Sequence, residues 1–120
     1  MVPCHFLELT AVDLITYQAR SGSVTRAATV LAELVEKMDF GRLSTDFVKE
    51  VPVSSLQRLG YILDEVLEQQ EAADAVYDLL IRAGARLQAV TLKAGKDAGG
   101  AELNERWKIR VNETIEIDEL

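Results

Sequence analysis

A glycine inside an otherwise strong helical run restricts what can pack around this chain's central segment. In residues 52–67, PVSSLQRLGYILDEVL, the side chains Leu56, Leu59, Leu63, Val66 and Leu67 recur at steps of three and four. That spacing puts them on one face of an amphipathic helix, and the face has to be buried. Pro52 disfavours helix for Val51, and Ser54 or Ser55 stands where an N-cap belongs. Gly60 falls mid-helix, where it costs about 1 kcal/mol relative to alanine. The usual return for that cost is a close neighbour, so Gly60 is expected at a tight helix contact.

The flanking sequence supplies partners for such a helix. In 120 residues, 48% of them hydrophobic, there is material for one core and one domain spanning residues 1–120. Residues 1–9 show a short period-two pattern that fits a strand. Thr10, with Asp13 three positions on, opens a helix carrying Val12, Leu14, Ile15 and Ala19, stopped by Ser21 and Gly22. From Ser23 the set Val24, Ala27, Ala28, Leu31, Leu34, Val35 and Met38 gives the cleanest helical period in the chain. A third, shorter helix is expected from an Asp39 cap through Phe40, Leu43, Phe47 and Val48. After the central helix, a short break is expected in EQQE (residues 68–71). A fifth helix follows through Ala72, Ala75, Val76, Leu79 and Leu80, with Gly84 at its C-terminal end.

Beyond Gly84 the texture changes. ARLQAVTLK (residues 85–93) alternates apolar and polar positions and contains β-formers, which predicts a strand. Residues 94–103 hold three glycines and no periodic face, and are expected to be a loop. In RWKIRVNETIEID, Trp107, Ile109 and Val111 point one way and Lys108, Arg110 and Asn112 the other, the clearest strand pattern present. The expected fold class is therefore α+β: about five helices packed with a small antiparallel sheet of C-terminal strands, joined by the N-terminal strand if that forms.

Charge and motif content exclude several function classes. Thirteen basic against twenty acidic side chains give a net charge of −7, which argues against binding a phosphate backbone. No apolar run reaches the roughly 18 residues of a membrane span, and residues 1–10 lack a signal core, so the chain is expected in the cytoplasm. One cysteine, Cys4, cannot form an internal disulfide. Cys4 and His5 would need further ligands to hold zinc, and none is placed to help, so no metal or cofactor is expected. Asp64, Glu65 and Glu68 read as a solvated helix face rather than an acid and base pair. Gly95, Gly99 and Gly100 lack the lysine, hydroxyl residue and helix of a phosphate loop. No catalytic constellation is visible, and no enzyme activity is expected.

Two sets of residues remain. Arg106, Lys108 and Arg110 would stand together on one face of the last strand, a basic stripe able to contact a partner. Glu105, Glu113, Glu116 and Asp118 partly neutralise it, and the ordinary reading is cross-strand charge pairing. Arg58, beside the buried face, is suited to bond carbonyls or carboxylates within the fold.

Four pieces in order, LTAVDLITY (9–17), TRAATVLAELVEKMD (25–39), LQRLGYILDEV (56–66) and LNERWKIRVNETIEID (103–118), resemble the C-terminal domain of AbiEi-type antitoxins. The most specific part is RLGY on a helix, Arg58, Leu59, Gly60 and Tyr61, followed by N-x-R-W on a strand, with Asn104, Arg106 and Trp107 and then Asn112. The resemblance implies a non-enzyme that opposes a nucleotidyltransferase-like toxin in abortive phage infection systems described as type IV, in which the two proteins need not form a stable complex. It also implies that the motif residues build the fold and that Arg106, Lys108 and Arg110 would carry any basic contact surface. Members of this family usually place a promoter-binding winged helix-turn-helix domain first. With only about ten residues ahead of the first helix, that role is not expected here. The alternative function is a regulatory or dimerisation domain of a transcriptional regulator that works with a separate DNA-binding domain.

Overall fold

Pro52 holds an extended backbone (φ −64°, ψ 133°), and its carbonyl accepts the N–H groups of Ser55 and Leu56 at 3.1 and 3.3 Å. The central helix therefore starts at Val53. Neither expected serine is its cap, and Ser54 and Ser55 lie inside the first turn. The structure, a computed structural model, describes residues 6–21, 24–38, 45–92 and 101–112. Five helices are found among them: α1 (Phe6–Ser21), α2 (Val24–Leu34, continued by a 3-10 turn at Val35–Lys37), α3 (Asp46–Glu50), α4 (Val53–Tyr61) and α5 (Gln70–Arg82). A widened π-helical turn, Ile62–Val66, extends α4. Three two-residue strands follow, β1 (Val90–Thr91), β2 (Leu103–Asn104) and β3 (Ile109–Arg110). The fold is α+β, and no described helix is long and apolar enough to cross a membrane.

Helix α4 is the hub, touching α1, α5 and β3. Its Leu56 and Leu59, with Ile62 and Leu63 of the wide turn, are fully buried against Ala11, Val12 and Ile15 of α1 and Ala73, Val76, Leu79 and Leu80 of α5. Ala28, Leu31 and Val35 bring α2 onto the same core through α1. These are the positions that the three-four spacing selects. One polar tie is built in: Thr16 Oγ1 donates to the Val12 carbonyl at 2.9 Å, so Ser55 must donate to Thr16 Oγ1, 2.5 Å away. Buried Ser55 thereby fastens α4 to α1.

Several boundaries differ from the sequence reading. Residues 6–9, expected in a strand, already belong to α1; Leu7, Glu8 and Leu9 are good helix formers with no break before Thr10. Residues 1–5, with Cys4 and His5, and residues 39–44, the expected start of the third helix, lie outside the described residues. The break near residue 68 does form. Leu67 N–H bonds the Ile62 carbonyl at 2.9 Å, Glu68 takes a left-handed backbone (φ 53°), and Gln69 N–H reaches the Leu63 carbonyl at 2.8 Å. At the end of α5, Gly84 (φ 69°) donates to Ile81 and Ala85 donates to Leu80, at 3.0 and 3.1 Å. This is the paired closure that a glycine permits.

The sheet has the order β1-β3-β2. β2 runs antiparallel to β3, as expected, but β1 runs parallel to it, so the sheet is mixed. β3, which alone among the three strands carries a fully buried side chain, Ile109, next to buried Trp107, takes the central place with a strand on either side. Of the long strand expected from Arg106, the described part forms only Ile109–Arg110, because residues 105–108 form a turn, and residues 113–118 lie outside the described residues.

Candidate functional site

The turn at residues 105–108 and the C-terminal end of α4 build the densest polar constellation among the described residues. Asn104 Oδ1 accepts the Trp107 N–H at 3.0 Å, which closes the turn and stops the extended run. Lys108 completes it with a left-handed backbone (φ 54°). Trp107 then enters the core with no exposed surface. Its six-membered ring lies on Gly60, and a Cβ there would overlap three of the ring carbons. Gly60 is thus at a close contact, but the neighbour is an indole ring rather than a helix backbone.

Side chains of α4 secure the rest of the turn. Gln57, buried in α4, donates both Nε2 hydrogens, one to the Trp107 carbonyl and one to the Gln88 carbonyl, each at 2.9 Å. Arg58 Nε donates to the Thr91 carbonyl at 2.9 Å, bonding a strand carbonyl. Leu59 belongs to the core and Tyr61 is half-buried.

Asp64 is the centre of the charged part. Its Oδ2 accepts the Trp107 indole N–H at 2.9 Å and an Arg106 N–H at 3.1 Å. Expected on a solvated face, Asp64 has instead a side chain only 12% exposed. Asp64 stands four residues past Gly60 and seven past Gln57, so it falls on the same helical face and meets Trp107 together with them. Arg106 also pairs with Asp74 of α5 at 2.7 Å. Its guanidinium lies over the rings of Tyr77, at 4.7 Å, and Trp107, at 5.3 Å, and those two rings meet edge to face. The Arg106 bond, then that from Gln70, holds the Asp74 carboxyl below its ordinary pKa, and Asp74 in turn raises that of Arg106.

The three cations expected on one strand face are therefore separated. Arg106 bends back over Tyr77 and Trp107. Lys108 sits in the turn and pairs with Glu105 at 3.6 Å, and Arg110 alone is a strand residue, exposed on β3. Asn112 follows β3, its N–H on the Arg110 carbonyl at 2.9 Å. Gln57, Asp74 and Tyr77 were not singled out by sequence. Tyr77 carried the one usable signal, an aromatic at the edge of the fifth helix's apolar stripe.

An open groove of about 390 Å³ lies beside this constellation, lined by Tyr61 and Glu65 on one side and residues 102–105 with Val111 on the other. Burial, with the Glu65 carboxylate adding to it, lifts the Tyr61 phenol above its ordinary pKa. Among the described residues no group of three or more histidine, cysteine or carboxylate side chains is placed to hold a metal ion.

A model of the AbiEi antitoxin C-terminal domain matches residues 2–65. The chain belongs to that family. The match runs through the described helices α1 to α4 and ends in the wide turn, so it takes in RLGY and Asp64 but not α5, the sheet or Trp107. Membership gives the chain an antitoxin role within a toxin–antitoxin pair. No curated protein and no solved structure matches it significantly.

Proposed function

We propose that this chain is the antitoxin of a bacterial abortive-infection pair and antagonises a nucleotidyltransferase-like toxin without catalysis of its own. The observation that carries the reading is the family match over residues 2–65, which takes in α4, the element that the rest of the fold packs against. The chain acts as a single domain, in the cytoplasm where its toxin works. With Arg106 engaged inside the fold, the accessible cations Lys108 and Arg110 are the ones we assign to partner contact. The net charge of −7 makes promoter binding by this chain unfavourable, so sub-micromolar, salt-sensitive binding to its own upstream DNA is not expected.

Co-expression with a nucleotidyltransferase-like toxin of the same family of systems, scored by growth, tests the reading. Restored growth supports it. Continued arrest, with the chain folded and present, would leave the regulatory or dimerisation domain as the better reading.

A further inference from the structure

The two edges of the sheet are not alike. On β1, the N–H groups of Val90 and Leu92 donate to Lys108 and Arg110, so the polar backbone of Thr91 faces outward, where Arg58 takes its carbonyl at 2.9 Å. That edge is closed by a side chain. On β2, Leu103 stands opposite Arg110, whose carbonyl is turned to β1, while Val111 N–H goes to Glu102. By the alternation of an antiparallel ladder, the N–H and C=O of Leu103 point away from β3. No described residue takes them. The groove beside Tyr61 and Glu65 runs along this open edge.

We propose that the groove receives an extended segment of another polypeptide carrying lysine or arginine, which adds to β2 as a further strand alongside Leu103. Charge complementarity selects this occupant. Glu65, Glu102 and Glu105 line the groove, and no basic side chain does. A second copy of the chain, at a net charge of −7, would bring like charge to it. Main-chain bonds at Leu103 would set the register, and alternate basic side chains would meet the carboxylates, as in recognition by strand addition. The Tyr61 ring offers an apolar wall for the aliphatic stems. This surface stands independently of the antitoxin reading.

The test uses a labelled hexapeptide of alternating lysine and valine, and its glutamate-for-lysine counterpart, titrated against the full chain by fluorescence anisotropy. The lysine peptide should bind at least about tenfold tighter than the glutamate peptide, and Glu65→Lys with Glu102→Lys should weaken it by a similar factor. Bound peptide should slow hydrogen exchange at the Leu103 amide. Leu103→Pro, which removes the outward N–H without removing a ladder bond, should also weaken binding while Trp107 emission stays native. Equal binding of the two peptides, indifference to the charge reversal, or unchanged exchange at Leu103 would overturn the proposal. So would a concentration-dependent dimer that protects the same amide, since the second copy would then be the occupant.

Discussion

The helical body and the small sheet are held by different physics. Between α1, α2, α4 and α5 the contacts are leucine, isoleucine, valine and alanine stripes, non-directional and spread over many residues. The sheet has three two-residue strands, too short to be stable by their ladders. It is fixed to α4 by one indole ring on Gly60, by Gln57 and Arg58 on backbone carbonyls, and by Asp64 on Trp107 and Arg106. A distributed interface loses stability gradually, whereas a one-residue anchor concentrates it. Mutation can separate the two.

The largest effect belongs to the anchor itself. Trp107→Ala should cost about 3 to 5 kcal/mol, the range for deleting a buried aromatic, and should lower the urea midpoint accordingly. As the only tryptophan, and fully buried, Trp107 should emit in the blue when folded and shift red on unfolding. Water-like emission from the native protein would break the comparison at its root. Next is the other half of the contact. Gly60→Leu forces a side chain into the ring's place and should cost about 1 to 3 kcal/mol, read as a drop in melting temperature. Even Gly60→Ala should fail to show the usual helix-propensity gain, because its Cβ already overlaps the ring.

The same contrast explains what could be read from the sequence. The helices were legible because their buried positions, such as Leu56, Leu59 and Leu63, repeat locally every three or four residues. The break at Glu68 was marked only by the polar run EQQE, and the closure at Gly84 by the positive φ that glycine accepts. The site was not, because its bonds join distant positions: Asp64 to Trp107, Asp74 to Arg106, Gln57 to the Trp107 carbonyl. Asp64 lies on the face of Gln57 and Gly60, but a carboxylate reads as solvated until its distant partners Trp107 and Arg106 are placed beside it. The basic stripe failed in the same way. Two-residue alternation predicts a strand only if no side chain closes a turn first, and Asn104 closes one on Trp107. Parallel pairing of β1 left no local trace at all.

A smaller effect is expected at Asp64. Asp64→Asn keeps an acceptor for the indole N–H but removes the charge that faces Arg106, and should cost about 1 to 2 kcal/mol at neutral pH. The partly exposed Asp74 pair works in the same direction. Its depressed pKa means that its stabilisation is present above the ordinary carboxylate range and fades as the pH falls through the folded value. Acid should therefore weaken the Arg106 pair with Asp74, and Asp74→Asn should lose that part of the pH dependence. A stability difference between wild type and Asp74→Asn that persists unchanged at pH about 2, well below ordinary carboxylate values, would show that Asp74 acts by shape rather than charge.

The smallest expected effect on stability is also the most informative about function. Glu105 is exposed, Lys108 partly so, the two lie 3.6 Å apart, and Arg110 is exposed on β3. Reversing both cations, Lys108→Glu with Arg110→Glu, should change stability by no more than about 1 kcal/mol, as for other surface pairs. Neither side chain touches the Trp107 anchor through any bond found for Arg106, so Trp107 emission should be unaltered. Protection of cells against the toxin should nevertheless fall, because these two cations are the accessible remainder of the basic set. If emission, melting temperature and protection all stay at wild-type levels, Lys108 and Arg110 are solvated surface and toxin antagonism resides on another face. If the melting temperature falls by as much as for Gly60→Leu, the turn at residues 105–108 depends on its charges, and the division between a concentrated anchor and an indifferent rim is wrong.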